Sequence, residues 1–433
     1  MTTTASSAAA TSLSDPLAVR LPDPLTEAAL AEHVFPLFSR VRARGWSPEH
    51  PDGEIYLANH SLGRPLDRTA EDVREALDLW YGELDHAWAA WMEAAQHFRW
   101  QVARLIGCGD PGCVAPKTSA GQGLRAVLNA IPKDRPRVVA TRGEFDSGDF
   151  ILKTYAARER AEVVWVEANE RGVFEAEAIV EAVRRHRPDL VLVSQVFFVT
   201  GQVLEGVEEV VSAAREAGAL SLIDAYHGAG VIDLGFDRLG ADFMVGGSYK
   251  YTRGGPGACW LAVHPRHLKN EPTPVSADGV FTLDTGWFAK ADSFGYRRTE
   301  EPIVAAGGDA WLEATPPVLT WYQARAGLEL TNAVGVGRLR AYSLRQQAFL
   351  RGELERRGVE VADLGLPAEQ RGAFLLLPAG DTKASTARLR ESGVASDARR
   401  CPRTGRAYIR LCPDLLTTEA EMAEAAERIA VAL

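Results

Sequence analysis

The chain reads as an α/β protein: a large domain built on a mostly parallel sheet, followed by a small α+β domain. Three observations predict this. Between residues 137 and 263, short β-branched and apolar runs alternate with helical patterns, the arrangement that gives a parallel sheet covered on both faces. After residue 320 the pattern changes to long helices and a few short strands. Finally, one apolar run closes on Asp224 and another leads directly into Ser248-Tyr249-Lys250. Such strand ends line the ligand crevice of an α/β sheet.

Taken in order, residues 1–25 are expected to form a disordered or extended arm. Met1 to Ser12 is a Thr, Ser and Ala tail without the basic start or apolar centre of a signal peptide. Pro16, Pro22 and Pro24 keep the next stretch extended. A helix is predicted over Thr26–Arg44, then a short strand from Ile55 running into a turn closed by Gly63 and Pro65. Val73, Leu77, Trp80, Leu84, Trp88, Trp91, Ala95, Phe98, Val102 and Leu105 recur at helical spacing. They mark one face of one long helix, or of two in line, and the tryptophans read as core or dimer packing.

Strands are predicted at Arg137–Ala140, Val163–Val166, Leu190–Ser194, Ala219–Asp224, Asp242–Gly246 and Ala258–Val263, with helices over Phe174–His186 and Glu205–Ala217. The last strand follows Lys250 with no room for a crossover helix, so it should run antiparallel to its predecessor. Residues 264–318 are proline-rich loop, a length of loop that usually carries function. A helix or helix pair should cover Leu319–Arg357, broken at Gly335 or Gly337. Strands at Gly358–Ala362, Ala373–Leu377 and Ala407–Leu411 and helices at Thr382–Gly393 and from Thr418 complete the chain. The predicted domains are thus the arm (1–25), a large domain (26–320) and a small C-terminal domain (321–433).

Composition narrows the function. Apolar residues at 46% and charged residues at 24% are those of a globular protein. A formal net charge of −10 argues against nucleic acid or an anionic membrane as partner, and no apolar run reaches the roughly 20 residues of a membrane span. Five cysteines in 433 residues make no disulfide framework, and the neighbours Cys108 and Cys113 lack a second ligand pair for zinc. A cytoplasmic protein is expected.

Five stretches could carry chemistry. Asp224 and Lys250, at two strand ends facing one crevice, suit pyridoxal phosphate (PLP): a lysine holds its aldehyde as a Schiff base and an aspartate pairs with its pyridinium nitrogen. His227 follows three residues after Asp224. Thr118-Ser119-Ala120-Gly121-Gln122-Gly123 opens a helix and can cradle an anion on free backbone N–H groups. Gly121–Ala126 also fits G-x-G-x-x-A, but no clear strand precedes it, which disfavours a dinucleotide fold. Phe145, in Gly143-Glu144-Phe145-Asp146, could stack on a planar ring or sit in the core. Ser194-Gln195-Val196 leaves a strand for the turn at Gly201. Arg410, flanked by apolar residues, requires a carboxylate partner, from a substrate or from the protein itself.

In order and spacing, these stretches resemble the kynureninase branch of the fold-type I, class V aminotransferase-like PLP enzymes. The resemblance runs from about Ile55 to Ile429. It rests on Ser194-Gln195-Val196 with Thr200-Gly201-Gln202, on Asp224, His227 and Ala229-Gly230, and on Ala241-Asp242-Phe243 with Ser248-Tyr249-Lys250-Tyr251 and Gly254-Gly255-Pro256-Gly257. Ser61-Leu62-Gly63, Gly286-Trp287-Phe288, Thr315-Pro316-Pro317 and Arg410 support it. It implies a seven-stranded, mostly parallel sheet in the large domain and PLP as cofactor. Lys250 is then the Schiff-base lysine and proton carrier, Asp224 the partner of the pyridine nitrogen with His227 beside it, and Phe145 the stacking ring. Ala120, Gly121 and Tyr249 reach the phosphate, as do Trp287 and Thr315 from the partner subunit of a homodimer, and Ser194 belongs to the cofactor shell. Arg410 takes the α-carboxylate of an amino-acid substrate, with His60 and Ser61 at the substrate side.

Departures from that family's pattern cluster on the substrate side. The stacking Phe is followed by Asp146-Ser147-Gly148 rather than Pro and Asp, leaving Asp149 one place late as a replacement. Ala289-Lys290 stands for Gly-His, His60 for Asn, Ala120-Gly121 for Leu-Thr, and Cys412-Pro413-Asp414-Leu415 for Ala-Pro-Leu-Tyr. The expected function is a PLP-dependent hydrolase or lyase that cleaves a β/γ bond of an L-amino acid through a Schiff base with the substrate (an external aldimine). The alternatives are a class V aminotransferase or a cyclising or epimerising enzyme on the same scaffold, and a non-catalytic or nicotinamide-binding α/β protein.

Overall fold

The computed structural model describes residues 20–433; the expected tail and most of the arm lie outside them. Leu21 and Leu25 are buried with Leu30, Val34, Phe38 and Leu330, so the end of the arm is packed. The predicted helix over 26–44 is three short pieces, Glu27–His33, Phe35–Phe38 and Ser39–Arg42, because Pro36 cannot continue the first. The tryptophan-bearing stripe forms two helices, α1 (Arg68–Glu83) and α2 (Trp88–Ile106), separated at Leu84, where φ is +49°. Gly107 ends α2 in the left-handed conformation that favours glycine.

The central sheet has seven strands. In chain order they are β1 (Val114–Lys117), β2 (Arg137–Thr141), β3 (Glu162–Val166), β4 (Leu190–Ser194), β5 (Leu220–Asp224), β6 (Phe243–Gly247) and β7 (Cys259–Val263). Their order across the sheet is β1-β7-β6-β5-β4-β2-β3. β7 alone runs against its neighbours, β6 and β1, as its short connection from β6 requires. β1 corrects the sequence reading, which found no strand ahead of the Thr118 stretch. It is a short edge strand carrying Pro116, which a sheet tolerates at its edge. The helices between strands are α3 (Ala120–Leu128), α4 (Asp146–Ala157), α5 (Ala176–His186) and α6 (Val207–Glu216). α4 was not expected, since polar Asp146, Ser147 and Asp149 fill its first turn.

Alternating side chains build two cores. Val139, Val191, Val193, Ile223, Met244 and Trp260 pack against α2, α5, α6 and α7 (Val318–Val334). Val138, Ala140, Leu190, Leu192, Leu222, Val245 and Leu261 face Leu124, Val127 and Leu128 of α3 and Leu152 of α4. Beyond α7, Gly335 separates α8 (Val336–Arg356). A second sheet of β8 (Leu375–Ala379), β9 (Asp397–Arg400) and β10 (Ala407–Leu411), ordered β8-β10-β9, is fully antiparallel. It packs with α8, α9 (Thr382–Glu391) and α10 (Glu419–Ala432) around Leu350, Leu375, Ile409, Met422 and Ile429. The strand expected at 358–362 is only a bridge from Ala362 to Leu376. Ile55–Tyr56 pairs with Val394–Ala395, and the Cys412 N–H donates to the Leu57 carbonyl. These contacts carry His60 and Ser61 from the N-terminal segment to Arg410.

Candidate active site

A cavity of about 490 Å³ opens at the carboxyl ends of β4, β5 and β6. Thr118, Ser119, Ala120 and Gly121 line it from the start of α3, Phe145 from the start of α4, and Ser194, Asp224, His227, Tyr249 and Lys250 from the strand ends. The Lys250 ammonium donates to His227 Nε2 at 2.5 Å, and His227 Nδ1 is 3.1 Å from the Tyr251 hydroxyl. With Nε2 accepting, the imidazole proton sits on Nδ1 and is donated to Tyr251. Burial, reinforced by the Lys250 charge, pulls His227 well below its ordinary range and keeps it neutral. Burial also brings Lys250 down to about 7, against the opposing pull of Asp224. A buried lysine at that value supplies neutral amine near neutral pH. The rings of Tyr226, Phe145 and Tyr249 surround Nζ at 5.0, 5.3 and 5.6 Å.

Asp224 accepts from the Tyr226 N–H at 2.9 Å through Oδ1, and its carboxyl faces the cavity. Ser119 caps α3 by accepting from the Gln122 N–H, so the first turn of that helix points at the same space. A Cβ on Gly121 would lie 2.9 Å from Ile151 Cδ1, the movable end of that side chain. Glycine is required at Gly63: its N–H donates to the Tyr249 carbonyl at 2.8 Å, and a Cβ would overlap the Lys250 carbonyl oxygen. A buried low-pKa lysine, an acid facing it and a helix start for an anion fit PLP in its size, charge and bonding needs.

Arg410, His60 and Ser61 meet around Asp397, which the sequence reading did not single out. Arg410 donates to Asp397 through Nε at 2.7 Å and Nη2 at 2.5 Å, and through Nη1 to the Phe198 carbonyl. His60 Nε2 donates to Asp397 Oδ1 at 2.6 Å, and the Ser61 hydroxyl donates to Oδ2. Burial, with the Arg410 charge, lowers His60 to about 4, so it is neutral. Burial alone would raise the Asp397 carboxyl; the His60 hydrogen bond and the Arg410 charge override it and hold it well below the carboxylate range.

Trp287 and Thr315 are not among the residues that line the cavity of this chain. Trp287 packs with Trp88, Phe288, Phe294 and Tyr296 and donates to the Ser293 carbonyl. Asp149 is paired with Lys153 on α4, and Lys290 donates to the Arg297 carbonyl; neither lines the cavity. Arg125, Tyr226 and Cys259 do line it and were passed over. Only the adjacency of Tyr226 to Asp224 signalled any of them in the sequence.

Fold and site together define a fold-type I PLP-dependent enzyme. Residues 67–385 match the family described as aminotransferase class-V, and the chain belongs to that family. It is similar to the kynureninase of Xanthomonas oryzae pv. oryzae (strain MAFF 311018), 29% identical over 376 residues that cover 81% of this chain and 86% of that one. The kynureninase of Myxococcus xanthus (strain DK1622) is 28% identical, covering 82% and 85%. Among solved structures, the cystine C–S lyase C-DES with its product cysteine persulfide superposes at a TM-score of 0.73 with 20% identity, over 87% of this chain and 97% of that one. A cysteine desulfurase from Thermococcus onnurineus NA1 gives 0.68 at 17% identity, over 89% and 95%. These likenesses show the shared fold.

Proposed function

We propose that this enzyme is a kynureninase-like hydrolase or lyase that cleaves a β/γ bond of an L-amino acid, with Lys250 as its cofactor lysine. The observation that carries the reading is Lys250 itself: buried in the turn three residues after β6, hydrogen-bonded to a neutral histidine, and sharing its cavity with Asp224. Bound PLP supplies an electron sink for the pair of electrons released at Cα.

The chain's own groups do the rest in this reading. The Asp224 carboxylate accepts from the ring nitrogen and keeps it protonated. The Lys250 amine, once free, takes the Cα proton, and His227 orients Nζ for that transfer. Ala120 and Gly121 N–H groups would hold the phosphate, with Tyr249 lining the same cavity as a further donor to it. Burial raises the Tyr249 phenol, so it stays protonated at neutral pH; in this reading it is the acid that would protonate the β-carbon. Arg410 receives the α-carboxylate beside Asp397, His60 and Ser61. Phe145, at the start of α4, would stack on the cofactor ring, and Ser194 would support it from the cavity wall.

The functional unit in this proposal is a homodimer. Trp287 and Thr315 lie outside their own chain's cavity, and Trp80, Tyr81 and Leu84 are 55%, 84% and 65% exposed, surface that a second copy would cover. The chain is read as a large domain to residue 320 and a small one after it, supported by the separate core around β8–β10 that also takes Ile55 and Leu57. The cytoplasmic location in this proposal is supported by five free cysteines; among the described residues no helix is long and apolar enough to cross a membrane. Incubation with L-kynurenine and 3-hydroxykynurenine tests the activity. Release of alanine with the matching anthranilate supports it, and a PLP-loaded enzyme that yields neither overturns the kynurenine form of the reading.

A further inference from the structure

Glu144 stands immediately before Phe145 and is buried, 4% exposed, and among the described residues no cation is paired to it. Its two oxygens are clamped at the ends of two strands. Oε1 is 2.6 Å from Thr141 Oγ1 and accepts from the Ser194 N–H at 3.3 Å; Oε2 is 2.6 Å from Ser194 Oγ. A hydroxyl can donate to a carboxylate or accept from a carboxylic acid, so this clamp holds either form of Glu144. Ser194 in turn stands opposite Asp224 in the parallel pairing of β4 with β5, and the Gln195 N–H donates to the Asp224 carbonyl. Ser194 and Asp224 therefore stand side by side at the ends of β4 and β5, and Glu144 reaches from Thr141, at the end of β2, to Ser194.

A charged group that acts on Glu144 is Asp224, from β5. β2 and β4 present the hydroxyls of Thr141 and Ser194, and on α4 a Cβ at Gly148 would meet the Glu144 Cβ at 3.8 Å and Leu124 and Leu192 at 4.0 Å. Burial, added to by Asp224, raises Glu144 to about 7 despite both hydroxyls. Two carboxyls in one buried neighbourhood do not readily ionise together.

We infer that Glu144 is a positioning residue that keeps an exchangeable proton beside Asp224 and thereby sets the charge Asp224 presents to the cofactor's ring nitrogen. The inference rests on the assignment of Asp224 to that nitrogen. Burial raises Asp224 as well, against the opposing Lys250 charge; while Glu144 is neutral, Asp224, which feels that ammonium, carries the negative charge of the pair. When Glu144 loses its proton, a second negative charge stands behind Asp224 and the ring nitrogen binds its proton more tightly. The pH at which the ring nitrogen titrates thus depends on a side chain that does not touch it.

Two measurements test this. Infrared difference spectra of the protein should show a protonated-carboxyl stretch below neutral pH that fades as pH rises through about 7 and is missing in Glu144→Gln. In the PLP-loaded protein, the visible band should titrate with an inflection near neutrality that Glu144→Gln loses. Ser194→Ala, which removes a donor to the ionised form, should move the wild-type inflection upward, and it serves as the second variant if Glu144→Gln folds poorly. An infrared band that persists in Glu144→Gln, or a visible titration that is the same in wild type and both variants, overturns the inference. A chain that takes up no PLP at Lys250 fails the reading of the site instead, and the two failures are distinguishable by the absence of any visible band.

Discussion

Asp397 and Arg410 face each other across paired antiparallel strands, and the carboxylate engages the guanidinium through two of its donors, Nε at 2.7 Å and Nη2 at 2.5 Å. The third direction is taken by the Phe198 carbonyl. An arginine so enclosed is charge-compensated without substrate. An incoming carboxylate must therefore share the fork with Asp397 or displace it.

Asp397→Asn removes that competitor and leaves a buried cation without its counter-charge. Losing one partner of a buried pair costs about 3–5 kcal/mol, so the melting temperature should drop clearly, while affinity for amino-acid ligands should rise several-fold. Calorimetric melts and ligand titrations followed by the visible band check both. An unchanged melting temperature with weakened binding would mean that Asp397 itself contacts substrate.

Gly63→Ala should damage catalysis from outside the cavity. The new methyl would overlap the Lys250 carbonyl oxygen, which is main chain and cannot turn aside. The loop that aims Nζ must shift, so kcat should fall more than tenfold while KM changes little. Steady-state kinetics separates the two; a loss confined to KM would contradict the argument.

Lys250 sets a pH dependence for cofactor uptake. Attack on the aldehyde needs the neutral amine, and burial brings Lys250 down to about 7. The rate of PLP reconstitution into cofactor-free protein should climb through pH 7 and then level off. A rate still rising toward the range of an ordinary lysine would show that Nζ is solvated.

Asp414 supplies an acid-sensitive part of stability. It is buried between Arg64 and Arg253. Burial would raise its carboxyl, but the two arginines override that and lower it to about 2. A depressed carboxylate stabilises the fold above its unfolded pKa and loses that contribution as pH falls through the folded value. Between about pH 4 and pH 2 the loss should be about 2 kcal/mol. Urea titrations in that window should show a smaller drop for Asp414→Asn than for the wild type.

Much of this was legible in the chain. β4 ends at Ser194 and β5 at Asp224, as read from their β-branched runs, and the missing crossover after Lys250 predicted the antiparallel β7. What local pattern could not show was register. Asp397 and Arg410 are thirteen residues apart and meet because β9 and β10 pair at those positions, and nothing in Ser396-Asp397-Ala398-Arg399 announces a buried partner. β1 was hidden by Pro116, whose missing N–H is harmless only because the strand lies at an edge. Glu144 lay inside a stretch chosen for its neighbour Phe145, and only the pairing of β2, β4 and β5 shows that its carboxyl is buried against Ser194, the cross-strand neighbour of Asp224.

Borohydride reduction of the PLP-loaded protein, followed by digestion and peptide mass measurement, tests the central claim most directly. Reduction fixes the Schiff base in place, and a phosphopyridoxyl group should appear on the peptide carrying Lys250, with Lys250→Ala unlabelled. Label on another lysine, or none in a protein that binds PLP, would contradict the assignment of Lys250 as the residue around which this site is built.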